Sequence, residues 1–509
     1  MKASTFVKLV KSGKRVEFTG IEIIGVLDLQ NLKIEQSIRC KDCVIDGAIL
    51  ASDVTFAEAV DLEGVTLKGR VDLRGAKFEG PMLARGDKAG GGASDSIDFS
   101  FARFEQQSAF DGLSFKGPLR FEGAFFADNT SFVGTNFADV AVFDRAHFAA
   151  SADFGGRLST ATSDSVTSGD ATFLGASFDG SVNFGQRIFN RKLLLDHSRA
   201  GDSLSLSHTK VHERLSMDGA KFADVDAKNL SVDGFASIAG SQVRSLSFEG
   251  ATFDCSLNIS GTSVADKATL RTVNLPNKSR TDVCDDPHKL FVSGFTAGDL
   301  SMDQSLIALV PNDPNDPNDD AKRKILSQIE VSARASGTVA DANQAHYALL
   351  ALDGGQKSRA ARILDGIYRD VGGYLVRPSR PLVALLLLIV IGTFVRYVRR
   401  RILRPATTDL PTTPSAQGTT GVVAAKQAVT TSCRGTSRLA SAFARTVGRV
   451  LSPTPPDGPD EETTDASGYM AAGALMVEYI ASKVLIIVFI LSLANYNSTL
   501  HDIVNGLFK

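Results

Sequence analysis

From Phe99 to Phe154 an aromatic ring recurs at alternating steps of five and six residues, at Phe99, Phe104, Phe110, Phe115, Phe121, Phe126, Phe132, Phe137, Phe143, Phe148 and Phe154. No ordinary element keeps that spacing on one face, because a helix needs a period near 3.6 and a half-buried strand a period of 2. The same 11-residue beat begins far earlier, in the pairs Phe18/Ile23, Leu29/Ile34, Cys40/Ile45, Ala51/Phe56, Leu62/Leu67 and Leu73/Phe78. Apolar residues also stand two before the first member of each pair, as at Val16, Leu27, Ile38, Ile49, Val60 and Val71. The spacing fits a coil of very short extended segments joined by turns, whose interior holds the periodic side chains and whose successive coils bury one another. Steps of five, six, five and six make a coil of roughly 22 residues, which would stack Phe99 on Phe121 and Phe143, and Phe110 on Phe132 and Phe154, as two aromatic ladders.

Glycine and alanine fall where tight corners need them, as in Arg74-Gly75-Ala76, Glu122-Gly123-Ala124, Asp218-Gly219-Ala220 and Glu249-Gly250-Ala251. Glycine adopts the backbone angles of such corners, and alanine leaves room inside. The runs Val60-Asp61-Leu62, Val71-Asp72-Leu73, Ala152-Asp153-Phe154 and Val182-Asn183-Phe184 have a Leu or Phe centre, a small residue two before it and Asp or Asn one before it. In this the chain resembles the pentapeptide-repeat proteins, although every second step carries an extra residue. The resemblance implies a mainly β fold, a right-handed quadrilateral β-helix over residues 16–280 behind an N-terminal cap at 1–15. After one insertion the beat resumes at Phe173/Phe178, slips by a residue around Ala227 to Val243, and returns at Phe248/Phe253. Roughly ten coils at about 4.8 Å each predict a rod on the order of 50 Å long. The insertions at 85–96, rich in Gly, and 155–170, rich in Ser, Thr and Gly, are expected to be surface loops.

The remainder is different material. Residues 281–319 end in a repeated Pro-Asn-Asp linker, and 320–380 loses the beat and becomes rich in Ala, Leu, Gln, Lys and Arg, which predicts a helical neck broken at Gly354-Gly355. Pro381 to Val395 carries no charge and is flanked by Arg380 on one side and Arg396, Arg399, Arg400 and Arg401 on the other, which predicts a first transmembrane helix over 381–398. A second is expected over 472–494, with Glu478 and Lys483 as costly charges in its first half. Between them, 399–471 is Thr-, Pro- and Ser-rich and is expected to lack order, except that Ser437 to Leu451 suits a short basic helix on a membrane surface. The tail, 495–509, reads as amphipathic.

A repeat rod, a neck and two spans resemble the membrane-anchored bacterial pentapeptide-repeat proteins. That resemblance implies a multi-pass protein of the bacterial inner membrane, with lipid and a protein as partners, compatible with homo-oligomers, and acting as a non-catalytic scaffold. Some relatives carry a potassium-channel pore in this place, which makes a channel-like protein with a sensing repeat domain the alternative. Thr446-Val447-Gly448-Arg449-Val450 matches the first three residues of the filter Thr-Val-Gly-Tyr-Gly, but Arg449 opposes K⁺ at the point where carbonyls should replace its hydration shell. Other relatives are acidic mimics of DNA that bind gyrase. Here residues 1–310 hold about 40 acids against about 33 bases, interleaved, which argues against a mimic and against a nucleic-acid surface.

No pattern points to catalysis, a cofactor or a metal. No phosphate-binding loop, nucleophile elbow or zinc-protease motif occurs. His208, His212 and Glu213 would form a metal pair only on a helix, and they lie in the repeats. Cys40 falls on an inward repeat position and Cys43 two before the next, so a reduced core role is expected rather than zinc or redox chemistry. Met1 to Val16 has no apolar core of a secretory signal, which favours a cytoplasmic repeat domain, while the denser arginine collar after the first span pulls the other way.

Overall fold

A computed structural model describes residues 1–86, 92–93, 95–156, 167–276, 284, 288–311, 319–354, 366, 370–371, 379–402, 443–452 and 466–496. The chain forms two compact units, Met1–Ser336 and Gly337–Lys509.

The first unit is a parallel β-solenoid of about 11 turns. Its strands are mostly two or three residues long, four to a coil: Arg103–Phe104, Ser108–Ala109, Ser114–Phe115 and Leu119–Arg120, then Phe125–Phe126 above the first. Phe104 pairs with Phe126, one coil of 22 residues further on. The short strands follow from the corners, where the chain turns through positive φ at Gly64, Gly75, Gly112, Gly123 and Gly134, and elsewhere at Asn31, Asp42, Asp53 or Asn229. Those are the residue types that enter this region at least cost. Phe101, Arg145, Gln186 and Thr272 depart from this preference; Phe101, at φ 60 and 67% exposed, sets its ring in the space above Gly123 where a Cβ would come within 2.9 Å.

The inward side chains form columns rather than two ladders alone. Phe99, Phe121, Phe143 and Phe173 stack with centroids 4.8 to 5.1 Å apart, and Phe110, Phe132, Phe154 and Phe184 do the same at 4.9 to 5.1 Å. A third column, Phe56, Phe78, Phe104, Phe126, Phe148 and Phe178, stacks at 4.6 to 5.0 Å. Phe115 and Phe137 form a looser fourth at 6.2 Å. The distances repeat because the backbone fixes them: strands hydrogen-bonded in register lie about 4.8 Å apart. Between columns the rings meet edge-on, as Phe110 does with Phe121 at 70° and Phe132 with Phe143 at 80°, the orientation that the ring quadrupole favours.

The two insertions are narrower than the composition suggests. Val71 pairs with Ile97 and Phe148 with Phe178, four and eight residues beyond the usual coil. Yet Gly92–Ala93 still pairs with Ser114–Phe115, and Thr167–Ser168 with Ile188–Phe189. Each insertion therefore delivers a rung of the sheet, because a coil that skipped one would leave the strands above and below without backbone partners. Residues 87–91, 94 and 157–166 lie outside the described residues.

Both ends of the solenoid are covered. Helix Ala3–Lys11 buries Ala3, Phe6 and Val10, and its Val10 carbonyl accepts from Gln36 Nε2 at 2.6 Å. Helix Asp320–Ala335, expected as the start of the neck, instead closes the last coil: Ile325, Leu326, Ile329 and Ala333 are buried, and Ser332 Oγ accepts from the Leu300 N–H at 2.8 Å in the final strand, Thr296–Met302. Its apolar residues repeat at three and four, so one face covers what would otherwise be an open sheet end.

In the second unit, helices Val339–Gly354, Ser379–Ile402, 443–451 and Ala466–Tyr496 are described. Among the described residues one stretch, Met476–Leu493, is long and apolar enough to cross a membrane, and Ser482 and Ser492 are its buried residues. Of the other expected span, the described residues include a shorter apolar run, Ser379–Phe394, within helix Ser379–Ile402.

Candidate functional site

The solenoid walls neutralise themselves. Arg39 bridges Glu17 and Asp61, each at 3.2 Å and one coil away on either side. Lys41 meets Glu63 at 2.9 Å, and Lys68 reaches Glu22 and Asp46 at 3.2 and 3.4 Å. Charges on outward strand positions line up because the register is constant. Two bonds from Arg74 hold the Asp72 carboxyl below the usual carboxylate range. Arg244 does the same for Asp224.

Inside the wall lies one residue that periodicity did not reveal. Arg187 is fully buried, and its Nε donates to Ser168 Oγ at 2.8 Å, one terminal nitrogen to the Phe154 carbonyl at 2.5 Å and the other to the Thr135 carbonyl. Its guanidinium lies 4.6 Å from the Phe137 ring and 5.7 Å from that of Phe189. Ser168 occupies the rung between those two phenylalanines, so the arginine fills the place of a missing ring. Burial pushes its pKa down to about 9, which leaves it charged at neutral pH. The cation is held by carbonyl dipoles and π faces. A cue existed in the sequence: a serine in the aromatic column one rung from an arginine. Beside it, Asn183 Nδ2 bonds Asp153 Oδ1 at 2.9 Å, and Val133, Gly156, Gly185, Gln186, Ser205 and Ser207 line a shallow polar cleft.

The cysteines depart from expectation. Cys40 and Cys43 form a disulfide with Cα atoms 5.7 Å apart, and Cys255 pairs with Cys284 at 5.6 Å. Asp42, at φ 54, turns the corner so that the Cys43 side chain re-enters the interior beside Cys40. His208 sits at a corner against Asn229 Nδ2 at 3.2 Å, and His212 Nδ1 meets Asp233 Oδ2 at 2.6 Å. No group of three His, Cys, Asp or Glu side chains able to hold a metal occurs among the described residues.

In the helical unit the two residues singled out on the apolar helix meet the others. Gly392 of helix Ser379–Ile402 is the point of close approach: a Cβ there would lie 2.7 Å from Glu478 Oε1 and 3.2 Å from Thr446 Cγ2. The neighbouring Thr393 Oγ1 donates to the Ile389 carbonyl at 2.7 Å and lies 3.3 Å from Thr446 Oγ1. Lys483 Nζ donates to the Val450 carbonyl at 3.0 Å and stands over the Tyr479 ring at 5.3 Å. Small residues and hydroxyls at such crossings let helices approach closely. Thr446 to Val450 are helical, so this stretch is not an extended, carbonyl-lined filter. Arg380 bonds Asp370 at 3.3 Å and lies 5.6 Å from the Tyr347 ring. Arg396, Arg399, Arg400 and Arg401 continue the helix, with side chains outside the described residues. Residues 403–442, 453–465 and 497–509, with most of the expected loop and tail, also lie outside them.

The arrangement defines a class: a capped parallel β-solenoid with four short strands per coil, and a helical unit in which, among the described residues, one apolar helix is long enough to cross a membrane. No family model, curated protein or solved structure matches the chain.

Proposed function

We propose that the chain is a membrane-attached solenoid of the pentapeptide-repeat kind that works by binding a protein partner on its walls, without catalysis. The observation that carries the reading is the apolar stretch Met476–Leu493, whose side chains at Met476, Val477, Ile480, Val484, Ile487 and Ile490 stay exposed: a stretch of that length and character suits a hydrocarbon environment. Ser379–Phe394 packs beside it at Gly392, against Glu478, and completes a helical pair. Polar, self-neutralised walls suit a broad, modest-affinity contact surface better than a dense acidic mimic of DNA. A second reading, a channel-like protein gated by the solenoid, is favoured by Glu478 and Lys483 in the apolar helix. Photo-crosslinking from outward wall positions such as Arg120 or Ser131, alongside conductance of the full chain in planar bilayers, separates the two. The binding reading expects a discrete crosslinked protein and no unitary currents. Currents abolished by Glu478→Gln with no crosslink would replace it with the channel.

A further inference from the structure

Helix 443–451 has three unlike sides. Thr446 and Val450, four residues apart and therefore on one face, are 0% and 2% exposed and pack into the helix pair. Lys483 then secures the helix end: its ammonium bonds the Val450 carbonyl, one of the last-turn carbonyls that has no partner within a helix. A cation there also suits the negative end of the helix dipole. This nine-residue piece is thus docked at both its middle and its end.

At 100° per residue, Arg445 and Arg449 fall together on one flank of the buried stripe, and Phe443, Val447 and Leu451 fall on the other. Both arginines are exposed and have no carboxylate partner among the described residues. Phe443 is 51% exposed and Leu451 68%. The contact with Lys483 lies five residues, about 7 Å at the helical rise, beyond Glu478, which meets Gly392 four residues before Arg396, the first of the arginines that follow the partner helix's apolar run. A cationic flank opposite an apolar flank at that depth is the pattern of a helix lying in a membrane interface. Arg396, Arg399, Arg400 and Arg401 follow the apolar run of the partner helix directly, so the backbone brings further cations to the end of the same apolar pair.

Resting on the membrane reading above, we propose that helix 443–451 is a docking element for anionic phospholipid, with Arg445 and Arg449 holding the headgroup phosphates and Phe443 and Leu451 set among the acyl chains. The helix pair anchors the chain, while this third helix makes the anchor selective for an anionic leaflet. Its neutral competitor, phosphatidylcholine, offers the same phosphate but no net charge, and the two arginines distinguish them by charge alone.

The test reconstitutes the full chain into vesicles of phosphatidylcholine alone and of phosphatidylcholine mixed with phosphatidylglycerol, then counts lipids that stay bound after detergent extraction by native mass spectrometry. Retained phosphatidylglycerol should exceed phosphatidylcholine roughly tenfold, fall to parity in Arg445→Gln/Arg449→Gln, and recover largely in Arg445→Lys/Arg449→Lys. Equal retention in the parent chain, or an undiminished preference in the Gln pair, overturns the proposal while leaving insertion intact. Displacement of the bound lipid by inorganic phosphate would assign a free-anion site and overturn it too. Failure to insert into either vesicle would strike the membrane reading itself, a separate result.

Discussion

Arg187 shows how a single side chain repairs a fault in a regular lattice. The column that holds Phe115, Phe137 and Phe189 is interrupted at Ser168, where the longer insertion rejoins the coil. A bare serine would leave a void between two rings, and the next coil's arginine fills it while bonding three acceptors. Arg187→Ala leaves two buried carbonyls unpaired and opens a cavity, so the unfolding free energy should fall by about 3 kcal/mol or more. Arg187→Met, which restores volume but not the bonds, should lose about 2 kcal/mol. Urea midpoints of residues 1–336 check both, and a loss under about 0.5 kcal/mol for Ala would show that the guanidinium carries no weight. The aromatic positions were legible from spacing because each ring repeats the same environment. Arg187 was not, since a charged side chain is by default an exterior one.

At the scale of elements, the strands were readable and their interruptions were not. Composition marks 85–96 and 155–170 as loops, but glycine- and serine-rich segments still pair through their backbones, and backbone pairing has no composition. The boundary matters for engineering. Shortening the chain only within 157–166 keeps the Thr167–Ser168 rung and the bond from Arg187, and should shift the melting temperature of residues 1–336 by no more than a few degrees. Removing all of Gly155–Asp170 also deletes the rung and the acceptor Ser168, and should cost soluble expression or most of the cooperative melt. Equal behaviour of the two deletions would show that the rung is dispensable. Helix Asp320–Ala335 carries the same lesson. Its helical character is plain from composition, but its role as a lid depends on which apolar end it meets, and only the fold supplies that.

For the whole molecule, the periodic beat predicted a solenoid and the apolar runs predicted a membrane attachment, and among the described residues one run has the length and apolar character of a span. The disulfides bear on placement independently. Bridges such as Cys40–Cys43 and Cys255–Cys284 persist in oxidising compartments, whereas the cytoplasm keeps thiols reduced. Thiol labelling with and without reductant tests whether these bridges form in the cell, and with them the cytoplasmic placement expected from the N-terminal sequence. Everything proposed for function depends on attachment, which alkaline carbonate extraction of membranes followed by flotation measures directly. The full chain should float with the lipid after extraction, and a chain ending at Ser336 should stay in the soluble fraction. Release of the full chain by carbonate would contradict the account, because an exposed apolar helix would then have found its cover in protein rather than in a bilayer.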